Sequence, residues 1–229
     1  MTQPFLSIIL PIYNEEQRLP MCLAHICDYL WHYTHWPFEL ICVLNGCTDR
    51  SDEICREFAR NWIQIEILSL PVAGKGAAVR TGMLAATGRY RYMADVDLST
   101  PITEIPRYLD AARAADLVCG TRQVKHKSLV RSAAHTIYSR MAGPYTSVHD
   151  PQCGFKLFRG DAAERIFSRV RSDGWGFDTE ALYLAKLLGY RIAEISVPWE
   201  HDEGSKLNPV RAGVQMAIDL LKLRRLHPA

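Results

Sequence analysis

The chain has 229 residues, 48% of them hydrophobic and 23% charged, with a formal net charge of +2. That length suits one large domain at roughly 100–200 residues per domain, and the composition excludes a disordered or fibrous chain. So small a net charge predicts no polyanionic partner, nucleic acid included.

Apolar runs and helical patterns alternate through the first half. Leu6–Pro11 reads as a strand rather than a leader, since no basic residue precedes it and the run is only strand length. A helix at about Arg18–Trp31 follows, then a strand at Phe38–Leu44, a helix at Ser51–Trp62 and a strand at Ile63–Leu68. Next come a helix at Gly76–Ala86, a strand at Tyr90–Asp95, a helix at Ile102–Ala114 and a strand at Leu117–Thr121. This alternation predicts an α/β fold, with βαβ units forming a mainly parallel sheet flanked by helices. Ligands of such sheets sit beyond the carboxyl ends of the strands. Attention therefore falls on Tyr13-Asn14-Glu15, Asn45-Gly46, Asp95-Val96-Asp97 and Gly120-Thr121-Arg122.

The second half changes rhythm. Residues 117–149 hold no Asp or Glu but five Lys/Arg and three His. Helices near Ala162–Val170 and Thr179–Leu188 flank a loop at Ser172–Asp178. A strand near Arg191–Val197 and a polar stretch at Trp199–Asn208 lead to a last helix opened by Pro209. Residues 1–208 read as one domain, and 209–229 as a basic amphipathic helix that is part of it or appended to it. From Gly204 onward five Lys/Arg stand against one Asp. The stripe Val210, Val214, Ala217, Ile218, Leu221 and Leu226 suits packing on the domain, or peripheral contact with an anionic membrane. No run of about 20 apolar residues is present to span a bilayer. Seven scattered cysteines with no CxxC pair read as reduced thiols. The expected location is the cytoplasm or the inner face of its membrane.

Two segments carry chemistry by themselves. Asp95 and Asp97 put two carboxylates at the end of an apolar strand, where they suit one hard cation, Mg²⁺ or Mn²⁺, with positions left open for phosphates. The same pattern also serves as an acidic surface turn. Gly74-Lys75-Gly76 precedes a helix and offers backbone N–H groups to an anion, or is a plain turn. It lacks the spacing of a nucleoside triphosphatase loop.

Asp95-Val96-Asp97-Leu98-Ser99-Thr100-Pro101 resembles the Asp-Ala-Asp-Leu-Ser-Thr-Pro motif of family 2 inverting glycosyltransferases, in their dolichyl- and polyprenyl-phosphate glucosyl- or mannosyltransferase branch. Further segments match in order: Pro11-Ile12-Tyr13-Asn14-Glu15, Gly74-Lys75-Gly76, Gln152-Cys153-Gly154-Phe155-Lys156, Trp175-Gly176-Phe177-Asp178-Thr179-Glu180 and Gly204-Ser205-Lys206. The resemblance implies a GT-A fold. It also implies inverting transfer of glucose or mannose from a nucleotide-sugar donor, a UDP-sugar first, to a polyprenyl or dolichyl phosphate acceptor, with Mg²⁺ or Mn²⁺.

Residue by residue, the resemblance places Pro11, Tyr13 and Glu15 in the nucleoside pocket, with Glu15 on the ribose. Asn45 stands where the family commonly has an Asp that reads uracil, and its carbonyl can still accept that N–H. Lys75 borders the donor. Asp97 binds the metal, with Asp95 as a second ligand or on the ribose, and His201 touches metal or phosphate. Ser205 and Lys206 sit on a loop that closes on the donor diphosphate. Arg122 and Arg131 meet the acceptor phosphate. Asp178 orients the acceptor or the sugar, or acts as base if the acceptor is a soluble hydroxyl. That hydroxyl acceptor, a nucleotidyltransferase, and a non-enzymatic nucleic-acid binder that the basic stretch permits but no recognised motif supports are the competing readings, and oligomeric state is left open.

Overall fold

Leu6–Ile12 (β1) is apolar on both faces, so it needs cover on both sides and belongs in the middle of a sheet. A computed structural model, describing residues 3–123, 129–199 and 209–228, places it there. β1 pairs in parallel with Phe38–Asn45 (β2) on one side and Tyr90–Met93 (β4) on the other. Ile65–Leu70 (β3) extends the sheet beyond β2. Leu117–Gln123 (β5), Lys156–Arg159 (β6) and Ile192–Pro198 (β7) complete the seven-stranded order β3-β2-β1-β4-β6-β5-β7. Only β6 runs antiparallel to its neighbours.

Alternate residues of β1 divide the core. Leu6, Ile8, Leu10 and Ile12 face a cluster built with Leu19–Tyr33 (α1), Ser51–Asn61 (α2) and Ile105–Ala111 (α4). Ile9 faces the opposite cluster with Lys75–Ala85 (α3), Gly160–Phe167 (α6) and Phe177–Leu187 (α7). Each fully buried Leu or Ile contributes roughly 1.5–3 kcal/mol, so period-2 burial holds this register firmly. Leu220 and Leu223 of Pro209–Leu226 (α8) pack with Tyr138 and Ala142 of Leu129–Thr146 (α5). All seven cysteines are unpaired and six are buried. Among the described residues no helix is long and apolar enough to cross a membrane.

Several expectations are corrected. β4 ends at Met93, so Asp95 and Asp97 lie in the turn beyond it, where Leu98 takes a φ of 46°. β3 starts two residues later than its apolar run suggested. The fourth helix opens as a 3-10 turn at Ile102–Glu104 and is shorter than expected. α7 begins at Phe177, so Asp178 lies inside its first turn. Helix α5 and strand β6 were not predicted.

Candidate active site

The turn after β4 carries the acidic pair. Asp97 Oδ1 accepts the Ser99 N–H at 3.0 Å, which ties the turn to its own side chain. Asp97 is exposed on one side. Protein crowding on its other side, then the Asp95 carboxylate, raise its carboxyl above the ordinary value, against Ser99 and Lys75, which lower it. Asp95 has a cation already: Lys75 Nζ lies 2.6 Å from its Oδ1. Burial pulls the Lys75 ammonium down, but Asp95, then Asp178 and Asp97, outweigh burial and the net shift is upward. Four of the expected residues, Lys75, Asp95, Asp97 and Asp178, thus share one electrostatic site.

The glycine loop does not behave as an open phosphate cradle. The N–H groups of Gly76 and Ala77 both donate to the Asp173 carbonyl, at 2.9 and 3.3 Å. A Cβ on Gly76 would lie 2.2 Å from the Ser172 carbonyl oxygen, so only glycine admits this approach. The helix terminus is capped by the 172–174 backbone, and the anion reading of these amides is replaced by an internal one. Arg80 of α3 fixes the same loop from its side chain, pairing with Asp173 at 2.6 Å. Trp175, 42% exposed, sits under the Lys75 ammonium, 5.1 Å from ring centre to nitrogen.

Asp178 has a partner that the sequence reading did not name. Lys156 Nζ is 2.6 Å from Asp178 Oδ1 and also donates to the Cys153 carbonyl. Burial raises the Asp178 carboxyl above its ordinary value, opposed by Lys156 and Lys75. Gly154, next to Cys153, touches the other pair. A Cβ there would lie 2.1 Å from Asp95 Oδ2.

The remaining expected residues fall around this centre. Pro11 is in β1, paired in register with Val43. Tyr13 is 45% exposed just beyond it. The Glu15 carboxylate is held by Arg18 through two bonds, at 2.8 and 2.7 Å. Asn45 is buried, and its Oδ1 accepts the Gly74 N–H at 2.7 Å, so its carbonyl shapes the glycine loop. Asp49 lies one residue before Arg50, the N-cap of α2, so it is not the capping residue; its Oδ1 accepts the Ser51 N–H at 3.0 Å and its Oδ2 the Glu16 N–H at 3.0 Å. Arg122 grips Asp150 with Nε and Nη2 at 2.7 and 2.8 Å, and its guanidinium lies 5.5 Å from the Trp199 ring centre. Arg131 falls on α5, with its side chain outside the description; His201, Ser205 and Lys206 lie outside the described residues.

Lys156, Asp150 and Asp173 were the residues missed. A lysine inside the apolar run Phe155–Phe158 was the available signal, because a lysine there needs an acid. Asp150 likewise closes the acid-free stretch directly.

Residues 7–167 match glycosyl transferase family 2. A dolichyl-phosphate beta-glucosyltransferase of Dictyostelium discoideum is 32% identical over 243 residues, covering 96% of this chain and 74% of that protein. The Homo sapiens protein of the same name is 31% identical over 242 residues, with 96% and 74% covered. Among solved structures, glucosyl-3-phosphoglycerate synthase from Mycobacterium tuberculosis, in complex with Mn²⁺, UDP and glucosyl-3-phosphoglycerate, has a TM-score of 0.74 at 20% identity. That match covers 96% of this chain and 80% of the other, and it shows the GT-A fold. The chain is a glycosyltransferase and belongs to glycosyl transferase family 2.

Proposed function

We propose that this chain transfers glucose from UDP-glucose to a dolichyl or related polyprenyl phosphate, with inversion at the sugar. The observation that carries the reading is the cluster of Asp95, Asp97 and Asp178 around Lys75, beyond the carboxyl end of β4. Its support from outside the chain is the name of its relatives, dolichyl-phosphate beta-glucosyltransferase.

The donor set fits a hard divalent cation, Mg²⁺ or Mn²⁺. Asp95 and Asp97 offer carboxylate oxygens two residues apart; burial first, and the Asp95 charge second, raise the Asp97 carboxyl, and a dication between the two acids would favour the charged form of both. Among the described residues no group of three His, Cys, Asp or Glu lies together, so a cation held by Asp95 and Asp97 would need its other ligands from phosphate, water or residues outside the description. His201 is the further proposed ligand. Such an ion neutralises charge on a departing diphosphate.

The chain's own residues do the rest. Tyr13, Pro11 and Glu15 border the nucleoside; Asn45 sets the glycine loop beside it. Lys75, Ser205 and Lys206 add positive charge and hydrogen bonds on the diphosphate side. A lipid phosphate arrives as an oxyanion and needs no strong base. Asp178, held on the buried Lys156 ammonium, orients the acceptor side in this reading rather than taking a proton. The acceptor phosphate is assigned to Arg122 and Arg131; at Arg122 it would share a guanidinium already paired with Asp150. The exposed Lys222, Arg224 and Arg225 of α8, beside the exposed Ile218 and Leu221, would face anionic lipid headgroups on the cytoplasmic side.

A donor screen tests this reading. The protein is incubated with Mg²⁺ or Mn²⁺ and UDP-, GDP- or dTDP-sugars, with a short polyprenyl phosphate or 3-phosphoglycerate, and released nucleotide is identified. The expected result is UDP release from UDP-glucose with polyprenyl phosphate alone. Turnover with 3-phosphoglycerate would select the hydroxyl acceptor, and pyrophosphate release a nucleotidyltransferase. Full turnover in Asp97→Ala would refute the metal assignment.

A further inference from the structure

His227, immediately after α8, is buried although none of the family-like motifs described above contains it. Three bonds pin it. Its N–H donates to the Leu223 carbonyl at 2.9 Å, its carbonyl accepts from Tyr183 Oη at 3.4 Å, and its Nε2 lies 2.6 Å from Glu180 Oε1. Glu180 is on α7 and is 1% exposed. Its two oxygens also accept the N–H groups of Arg171 and Ser172, at 3.0 and 2.8 Å. With both oxygens already accepting, the imidazole nitrogen acts as the donor.

The next bonds lead into the site. The residue after Ser172 is Asp173, whose carbonyl caps the first turn of α3 through Gly76 and Ala77. That turn begins with Lys75, the ion-pair partner of Asp95. Trp175, which lies under the Lys75 ammonium, belongs to the same loop. α8 touches this loop a second time, because a Cβ on Gly176 would lie 2.8 Å from Asp219 Oδ2.

We propose that His227 is a positioning residue for the donor side of the site: through Glu180 it fixes the 171–176 loop against the start of α3, and so fixes Lys75 on Asp95. A buried carboxylate holding two backbone N–H groups and one ring is a rigid three-way joint. Removing the ring leaves a buried acceptor short of a donor, and the joint must relax or take in water. The relaxation is felt where the loop meets α3, since both segments share the Asp173 carbonyl. The assignment of that end to the donor rests on the function proposed above; the joint itself does not.

The test uses amide hydrogen exchange on the full chain, with transfer kinetics beside it. His227→Ala, and His227→Asn as a second loss variant too short to reach Glu180, should speed exchange about tenfold or more in segments 171–173 and 75–78 and leave β1 and β2 unchanged. His227→Gln, which can still donate, should restore both segments. In the transfer assay the loss variants should raise the KM for UDP-glucose about five- to tenfold with kcat within about twofold, and Gln should rescue it. Unchanged exchange at 75–78 and 171–173 in both loss variants would overturn the proposal. So would exchange that rises throughout the chain, which marks general destabilisation. If the wild type fails to turn over UDP-glucose, the proposed function falls and the exchange result still decides the joint.

Discussion

Two lysine–aspartate pairs sit in this site at the same separation, 2.6 Å, and differ in their surroundings. Lys75 and Asp95 have side chains 17% and 27% exposed, while those of Lys156 and Asp178 are 1% and 10% exposed. The open pair can exchange partners with water, cations or phosphate, because solvent stabilises either ion when the other moves. The closed pair cannot: Lys156 also bonds the Cys153 carbonyl, and an unpaired charge there has no water to turn to. Burial pulls the Lys156 ammonium down, yet Asp178 outweighs it and the net shift is upward. One pair is thus reachable from solvent and the other is closed off, although sequence alone shows two lysines and two acids in similar motifs.

Breaking each pair from the lysine side gives the largest expected contrast. Lys156→Ala leaves Asp178 buried and unpaired, at a cost of about 3–5 kcal/mol. At about 2–4 °C per kcal/mol for a chain of this size, the melting temperature should fall by roughly 6–20 °C. Lys75→Ala should cost no more than about 1 kcal/mol, because its pair is partly solvated. It should nevertheless lower kcat/KM for UDP-glucose about tenfold or more, through the lost charge beside the diphosphate. Thermal melts and steady-state kinetics on both variants check this. Equal melting temperatures would end the distinction between the pairs.

Gly154→Ala sharpens the contrast by disturbing only the open pair. The new Cβ would meet Asp95 Oδ2 at 2.1 Å and Cγ at 2.9 Å, so the side-chain end must turn away from its place against Lys75. Stability should change little. Activity should drop about a hundredfold, the scale set by a displacement of about 1 Å at a reacting site. A variant with wild-type kinetics would show that the position of Asp95 does not matter.

The contrast also explains what the sequence made legible. β1 and β2 were readable because a strand buried on both faces leaves a long, mainly apolar run, as in Leu6–Ile12 and Leu40–Leu44. β6 was hidden because it is four residues long and opens with Lys156, a charge that only its partner on α7 makes tolerable. α5 was hidden by Gly143 and Pro144 near its end and by a basic composition that reads as a solvated face. In the site, Asp95 and Asp97 were readable from their spacing beyond a strand. The Lys156–Asp178 pair spans 22 residues, so tertiary packing decides it. The capping of α3 by the Asp173 carbonyl had no sequence signature, since every residue carries that group.

A double replacement separates the architectural role of Asp178 from the competing role of base. Asp178→Asn with Lys156→Met removes both charges together and leaves no unpaired ion, so stability should stay within a few kcal/mol of wild type. If the acceptor is a lipid phosphate, transfer should persist within about tenfold. If Asp178 takes a proton from a hydroxyl, the loss should be about 10²- to 10⁴-fold. Measuring kcat with polyprenyl phosphate and with 3-phosphoglycerate in the same variant decides between them.

The smallest expected effect is on alkaline stability, and the same double variant reports it. The Lys156 proton is held more tightly in the folded protein than at the ordinary value of 10.5. A raised folded value means that its contribution to stability is complete below about pH 10.5 and is lost as pH climbs through the folded value. Wild type should therefore lose melting temperature above about pH 10.5 more steeply than Asp178→Asn/Lys156→Met. Lys75 is raised in the same direction, but its pair is the more exposed of the two, so Lys75→Met should follow the wild-type curve more closely than the double variant does. Melting curves in steps of about half a pH unit resolve the difference. Parallel curves for wild type and the double variant would mean that the closed pair carries no more proton-linked stability than the open one.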